Sequence, residues 1–308
     1  SKALKNFFRR VKEKKGKAGF PRFKSKVRSI TYPQSGFKLI NKKLRLSKVG
    51  NIPIINHRNI KEKVKTLTIK INHANQWYAY FSCELENKKI KHNYNNSIGI
   101  DVGLENFATL SNGEQINNPR YSIKSENKLK KLQRRLSRRK KGSKKRRKAK
   151  LTVGRQHIKI TDQRNDFLHK LSNNLTSNYG MIAVESLNIS SMTKNKYLAK
   201  HIHDASWNKF IQLLSYKAVM GGGLLIKNLR TRGSSKRCSN CGNEIEMKLN
   251  KRIFRCNNCN LEIHRDHNAA INHLKDTVGH TEISTPVENL LENFHEKRSM
   301  KRELYVMN

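Results

Sequence analysis

Three acidic residues of this 308-residue chain lie where chemistry is possible. Asp101 follows the apolar run in Ser97-Ile98-Gly99-Ile100-Asp101-Val102-Gly103. Glu185 ends Met181-Ile182-Ala183-Val184-Glu185, and Asp266 lies in Ile263-His264-Arg265-Asp266-His267-Asn268-Ala269-Ala270-Ile271. A short continuous apolar run reads as a buried strand. A carboxylate at its end must be hydrated, paired or metal-bound, because burying it alone is very costly. Taken alone, Asp101 and Asp266 read simply as turn or capping residues. Together, three carboxylates from distant segments can hold two Mg²⁺ ions that activate a water and steady the leaving 3′ oxygen in phosphodiester hydrolysis. Carboxylate oxygens suit hard Mg²⁺ or Mn²⁺ better than a soft metal.

The second cluster is sulfur. Cys238-x-x-Cys241 and Cys256-x-x-Cys259 are separated by 14 residues, close to four-cysteine zinc spacing. Each knuckle supplies two thiolates from one tight turn, and Gly242 eases the first. Four thiolates close a tetrahedral shell, so zinc here is structural. An iron–sulfur cluster is the alternative. Lys251 to Arg255 reads as a strand between the knuckles, which makes the unit a zinc ribbon. His264, His267 and His273 are other conceivable zinc ligands, but the thiolates already fill the shell. Cys83 stands alone in a strand and reads as a small buried hydrophobe. Paired Cys-x-x-Cys without export features argues for a reducing compartment.

The elements that must position these groups sit in a very basic chain. Lys and Arg number 66 against 22 Asp and Glu, a formal net charge of +44. That balance favours a polyanionic partner, either nucleic acid or an acidic membrane surface. No 18-residue apolar run exists to span a membrane, and no signal peptide is visible. Because the chain begins at Ser1 inside a basic helix, the true N-terminus is expected to be missing. Residues 124–150 hold 16 Lys and Arg and one acid, Glu126. Leu129, Leu132 and Leu136 give them one apolar stripe. Gly142-Ser143 breaks the run, and a second helix follows with Leu168, Leu171 and Leu175. A charge run is usually a solvated face. The apolar seam and mid-chain position favour a phosphate-binding helical hairpin. Its candidate contacts are Arg134, Arg135, Arg138, Arg139, Lys144, Lys145, Arg146 and Arg147. Arg22 and Lys24 interleave with Phe20 and Phe23, either as a stacking and phosphate-binding segment or as an ordinary loop with two core Phe residues.

Around these, residues 1–15 read as a basic helix. Residues 29–86 hold short strands at regular spacing, which suggests a small barrel. Asn106 to Leu110 reads as a strand and Ser111-Asn112-Gly113 as hairpin-turn chemistry. Asp204 is expected to N-cap a helix carrying Trp207, Phe210, Ile211 and Leu214. Gly221-Gly222-Gly223 ends that helix, and Leu224 to Ile226 is a further strand. The glycine run lacks the Lys and Ser/Thr of a phosphate loop and is assigned no function.

The segments Ile98-Gly99-Ile100-Asp101-Val102-Gly103, Ala183-Val184-Glu185-Ser186-Leu187 and His264-Arg265-Asp266-His267-Asn268-Ala269-Ala270 resemble the three motifs of a RuvC-like nuclease domain. Ser234 to Gly242 resembles the start of the zinc ribbon in the TnpB family, transposon-encoded relatives of the miniature type V CRISPR nucleases. Phe20-Pro21-Arg22-Phe23-Lys24 and Tyr32-Pro33-Gln34-Ser35-Gly36 match as well, so the resemblance covers nearly residues 1–275. It implies an α/β, RNase H-like fold with an inserted basic helical hairpin and a zinc ribbon, preceded by a β-barrel wedge domain. The implied boundaries are 1–19 for the remnant of a helical recognition region and 20–92 for the wedge. Residues 93–232 and 263–276 form the nuclease, 233–262 the ribbon and 277–308 a flexible tail. The family usually has a longer N-terminus. By motif position Asp101, Glu185 and Asp266 are the catalytic acids, with two Mg²⁺ expected beside one structural zinc. The implied activity is RNA-guided cleavage of double-stranded DNA, with a guide RNA and target DNA as partners, no membrane and no small-molecule cofactor. The implied location is the cytoplasm of a prokaryote, near the nucleoid. Two rivals share the same features: a nuclease-inactive nucleic-acid-binding regulator and a transposase performing strand transfer.

Overall fold

The computed structural model describes residues 2–13, 19–22, 27–40, 43–55, 60, 63–84, 96–228, 233–247, 251–281 and 302–307. Lys24, one of the candidate nucleic-acid contacts, lies outside them. The chain divides into two compact units, residues 1–86 with 299–308, and residues 87–298.

The first unit opens with α1 (Lys2–Lys12), followed by β1 (Ser29–Pro33), β2 (Phe37–Ile40), β3 (Lys43–Leu46), β4 (Gly50–Pro53), β5 (Lys63–Ile71) and β6 (Trp77–Glu84). All pairings are antiparallel. β1, β5 and β6 form one sheet, whose order ends with the strand Arg302–Met307 beside β6. That strand falls in the stretch expected to be a flexible tail. β2, β3 and β4 form the second sheet. The alternation read from the sequence explains the core. On β6, Ala79, Phe81 and Cys83 share a face and are buried with Leu44, Leu46 and Leu67. Two sheets thus share one core.

The second unit carries a five-stranded mixed sheet in the order β11-β10-β7-β8-β9. Its strands are β7 (Ser97–Val102), β8 (Asn106–Leu110), β9 (Gln115–Asn117), β10 (Met181–Glu185) and β11 (Leu224–Asn228). β7, β10 and β11 run parallel, while β8 and β9 are antiparallel additions. The turn at Ser111-Asn112-Gly113 joins β8 to β9, with Gly113 at φ +92°.

Between the strands run α2 (Tyr121–Lys124), α3 (Glu126–Ser137), α4 (Lys144–Asn178), α5 (Ile189–Met192), α6 (Lys196–Ala205) and α7 (Trp207–Met220). α3 and α4 form the expected helical hairpin, and Ser143 Oγ caps α4 by accepting from the Arg146 N–H at 3.1 Å. Strand parity sorts the sheet residues. Ile98, Ile100, Ile182 and Val184 pack with Leu168 and Leu175 of α4 and Phe210 and Leu214 of α7. Phe107 meets Phe167 and Phe210 edge-on at 5.1 Å.

The other face, bearing Gly99 and Asp101, receives α8 (Arg265–Thr281). Gly99 makes that approach possible: a Cβ there would lie 2.0 Å from the Ala270 carbonyl oxygen. β12 (Ile253–Arg255) and β13 (Glu262–His264) form the ribbon's hairpin.

One expectation is corrected. Asp204 does not cap α7; it lies inside α6, and the residue before α7 is Ser206 at φ +56° with no side-chain cap. The Asp204 carboxylate instead accepts from the Ser122 N–H at the start of α2 and pairs with Arg164 at 2.9 Å. A buried carboxylate is tolerable only with such partners, and Arg164 and Ser122 hold its pKa below the ordinary value against the desolvation that raises it.

Candidate functional site

Period-two alternation sends Gly99 and Asp101 to the α8 face of β7, and Ala183 and Glu185 to the same face of β10. The parallel register pairs Ile100 with Val184, so the next step sets Asp101 beside Glu185. On the far side Glu185 is paired with Asn228 of β11. Asp101, Glu185 and Asn228 therefore lie at the carboxyl ends of three adjacent parallel strands, where open α/β sheets place their sites. His273 comes down from α8 on to this edge. Carboxylate oxygens of Asp101 and Glu185 and a ring nitrogen of His273 lie within 4.8 Å of one another.

The electrostatics of this cluster ask for a cation. Burial pushes the Asp101 carboxyl up; His273 lowers it, and the charge of Asp266 raises it further. Burial also raises Glu185, with Asp101 adding to it. Two adjoining carboxylates resist ionising together unless positive charge joins them. The donor set is oxygen-rich, so a hard divalent ion such as Mg²⁺ fits it.

Asp266 sits in the first turn of α8 and is not part of that cluster. Its Oδ1 accepts from Arg265 at 3.0 Å (Nε), and its Oδ2 lies 3.8 Å from Arg252. Arg252 also pairs with Glu105, in the β7 to β8 connection, at 2.6 Å. The structure thus brings two of the three expected acids together. The third is close enough to act on Asp101 by charge, but two guanidiniums hold it.

The four cysteines converge. Cys238, Cys241, Cys256 and Cys259 place all their sulfurs within 4.8 Å of one another, with 3.5 Å between Cys238 and Cys259 and between Cys241 and Cys256. The knuckles are alike: the residue after each second cysteine, Gly242 or Asn260, has a positive φ of 79° or 54°. Gly and Asn are the residues that take that conformation readily. Backbone N–H groups aim at the sulfurs. The N–H of Asn243 brings Cys241 down to about 6, and that of Cys259 lowers Cys256. Burial raises Cys238 to about 11. Phe254 is buried beside Cys238 and Cys256. The four thiol donors and their mutual proximity fit a zinc ion. None of the three histidines joins this cluster. His264 accepts from the Asp266 N–H, His267 faces the Ser111 carbonyl, and His273 belongs to the acid site.

A row on α8 ties the ribbon to the sheet, and the motif reading did not single it out. Asn268 Oδ1 accepts from the Ser239 N–H at 2.8 Å, and its Nδ2 donates to the Arg237 carbonyl. Asn272 donates to the Ser234 and Arg237 carbonyls at 2.7 Å. Asp276 pairs with Arg237. The signal was there: Asn, Asn and Asp at i, i+4 and i+8 make one polar row on a helix.

The basic hairpin keeps most of its charge in solvent. Arg134, Arg135, Arg138, Arg139, Lys144, Lys145 and Arg147 are exposed, as is Arg22 in the first unit. Lys130, Gln133, Arg134, Ser137 and Arg138 line a shallow groove along α3. Arg146 is used differently: its Nη1 donates to the Leu136 and Arg139 carbonyls at 2.9 and 2.8 Å, closing the C-terminal end of α3.

Comparison with known proteins bears on these groups. A family described as "Probable transposase" matches residues 80–196, and one described as "Cas12f1-like, TNB domain" matches residues 207–273. A Streptomyces pristinaespiralis protein named "Putative RNA-guided DNA endonuclease" is 35% identical over 277 residues, covering 88% of this chain and 67% of its own. The Escherichia coli (strain K12) protein "Putative RNA-guided DNA endonuclease InsQ" is 32% identical over 303 residues, covering 92% and 73%. In a cryo-EM structure of the Cas12f1–sgRNA–target DNA complex, one chain aligns with 86% of this chain and 74% of its own, at 15% identity and a TM-score of 0.42.

Proposed function

This chain belongs to the TnpB-like family of RNA-guided DNA endonucleases, and from that premise we propose that it hydrolyses DNA phosphodiester bonds as an RNA-guided, Mg²⁺-dependent enzyme of transposon origin. The observation that carries this reading is the pairing of Asp101 and Glu185 at neighbouring parallel strand ends. On this reading the second unit is an RNase H-like nuclease, with residues 233–262 as its zinc ribbon. The first unit is the wedge, with α1 assigned to the recognition region.

Mg²⁺, when bound, lowers the pKa of the attacking water and polarises the scissile phosphate. Asp101 and Glu185 would hold it from the sheet, with Asp266 supplying the third carboxylate. Arg265 and Arg252 release Asp266 by trading it for a backbone phosphate of the DNA, since both contacts are charge-assisted and of similar strength. Arg134, Arg135, Arg138 and Arg139 hold guide or target backbone without reading bases. Sequence choice belongs to guide pairing, and the protein recognises the heteroduplex by shape and backbone. Among the described residues no helix is long and apolar enough to cross a membrane.

The test strips the protein of RNA with nuclease at high salt, then offers duplex DNA and Mg²⁺ with and without the guide restored. Cutting at a guide-matched site only after restoration is expected. Sequence-specific cutting by the RNA-free protein would overturn the reading.

A further inference from the structure

His273 is fully buried, and its Nε2 has no hydrogen-bond partner. That nitrogen faces Asp101 Oδ1 across 3.6 Å. An orphaned ring nitrogen beside two carboxylates has two possible roles. As a lone pair it is a third metal ligand. As an N–H it is a donor that aims the Asp101 carboxylate. The tautomer decides, and the groups behind the ring set the tautomer.

Behind the ring, Nδ1 lies 3.2 Å from Asn228 Nδ2. The same Nδ2 donates to Asp276 Oδ2 at 3.1 Å. Asp276 is paired with Arg237 through its other oxygen, so it is a charged acceptor. A carboxylate acceptor fixes the orientation of the Asn228 amide, because turning the amide would set its oxygen against Asp276. The amide nitrogen can only donate, so His273 Nδ1 accepts, and the ring proton of a neutral imidazole stands on Nε2.

We propose that His273 is a positioning residue for Asp101 rather than a metal ligand. Its Nε2–H is presented to the carboxylate by the chain Arg237, Asp276, Asn228. A closing of about 0.5 Å brings the pair to ordinary hydrogen-bond distance. The chain begins next to Cys238, and Asn268 and Asn272 bind the Arg237 carbonyl. The same residue that enters the first knuckle therefore sets the orientation of a sheet carboxylate. The ribbon thus acts on the acid site through α8 without contributing a ligand to it. This rests on the reading of Asp101 as a catalytic acid.

The test is spectroscopic first. Histidine-selective ¹⁵N labelling of the RNA-bound chain, with His273→Gln to assign the signal, reports which ring nitrogen of His273 carries the proton. The expected result is the Nε2–H form, unchanged when Mg²⁺ is added. An Nδ1–H form, or a shift of Nε2 to a metal-bound value, overturns the inference whether or not the protein cuts DNA. The second arm measures Mg²⁺ affinity by calorimetry. His273→Leu should weaken it about ten- to a hundredfold, as loss of partners behind a metal ligand does. His273→Gln, whose amide N–H stands where Nε2–H stood, should stay near wild type. Equal loss in both variants, or none in either, contradicts a donor role. An Nε2–H tautomer together with no cleavage under any guide would instead sink the proposed function.

Discussion

The cysteine cluster and the acid cluster draw on the chain in opposite ways. Each cysteine pair sits in one turn, so its geometry is local: a spacing, a left-handed residue after the second sulfur, and N–H groups aimed at thiolates. Asp101, Glu185 and His273 come from two strands and a helix far apart in sequence. Nothing local holds them together. Strand parity, the β7 to β10 register and the glycine that admits α8 do so. The ribbon can be damaged at one residue, whereas the acid site fails when the sheet or α8 shifts.

That difference can be broken most strongly at the ribbon. Cys256→Ser should abolish stoichiometric zinc binding and cost several kcal/mol of local stability, because site formation and folding are one event there. Elemental analysis and proteolysis of the ribbon check it; full zinc content in the variant removes Cys256 from the ligand set. Next in size is Gly99→Ala. The added methyl meets a backbone carbonyl at 2.0 Å, and overpacking of this kind costs about 1–3 kcal/mol or more. Mg²⁺ affinity should fall while zinc content holds, so loss of both would erase the contrast between local and global construction.

The acid pair sharpens the contrast with a stabilising substitution. The folded chain raises both carboxyls above their ordinary values of 3.8 and 4.5. The folded state therefore binds more protons, and the cost of ionising the pair starts near those values and is complete above the raised ones. At neutral pH without divalent cation, Asp101→Asn should melt a few degrees higher, since about 1 kcal/mol moves Tm by roughly 2–4 °C at this size. Added Mg²⁺ should stabilise wild type and not the variant. A lower metal-free Tm in Asp101→Asn refutes the like-charge account.

The smallest effect on the fold is expected at α3. Neutralising Arg134, Arg135, Arg138 and Arg139 should leave Tm unchanged. It should flatten the salt dependence of nucleic-acid binding by about 3 to 4 in log–log slope if all four meet phosphates. An unchanged slope excludes them as contacts.

Much of this was legible from residue order alone. The Cys-x-x-Cys pairs announced their cluster because ligand spacing is the geometry. Ile98 to Asp101 and Met181 to Glu185 announced buried strands with a terminal acid, since an apolar run with a charged end has few other uses. The register that sets the two acids side by side was not legible, because pairing is decided by the whole sheet. Asp204 misled because an acid just before an apolar helix looks like a cap. Its real partner, Arg164, lies in another helix. His273 was weighed only as a zinc ligand, since nothing in its neighbours shows which side of α8 meets the sheet. Arg146 was counted with the other cations, although its guanidinium closes α3.

On the proposed function, Asp101 and Glu185 hold the divalent ion that cuts DNA. Its most direct test is a cleavage time course with RNA-bound protein, wild type against Glu185→Gln, at matched DNA occupancy and increasing Mg²⁺. Wild type should cut guide-matched duplex in a Mg²⁺-dependent manner. Glu185→Gln should bind the same DNA with unchanged Kd and cut it about a thousandfold more slowly, because a metal contributes several kcal/mol and each 1.36 kcal/mol is tenfold in rate. Cleavage by Glu185→Gln at the wild-type rate would contradict the account.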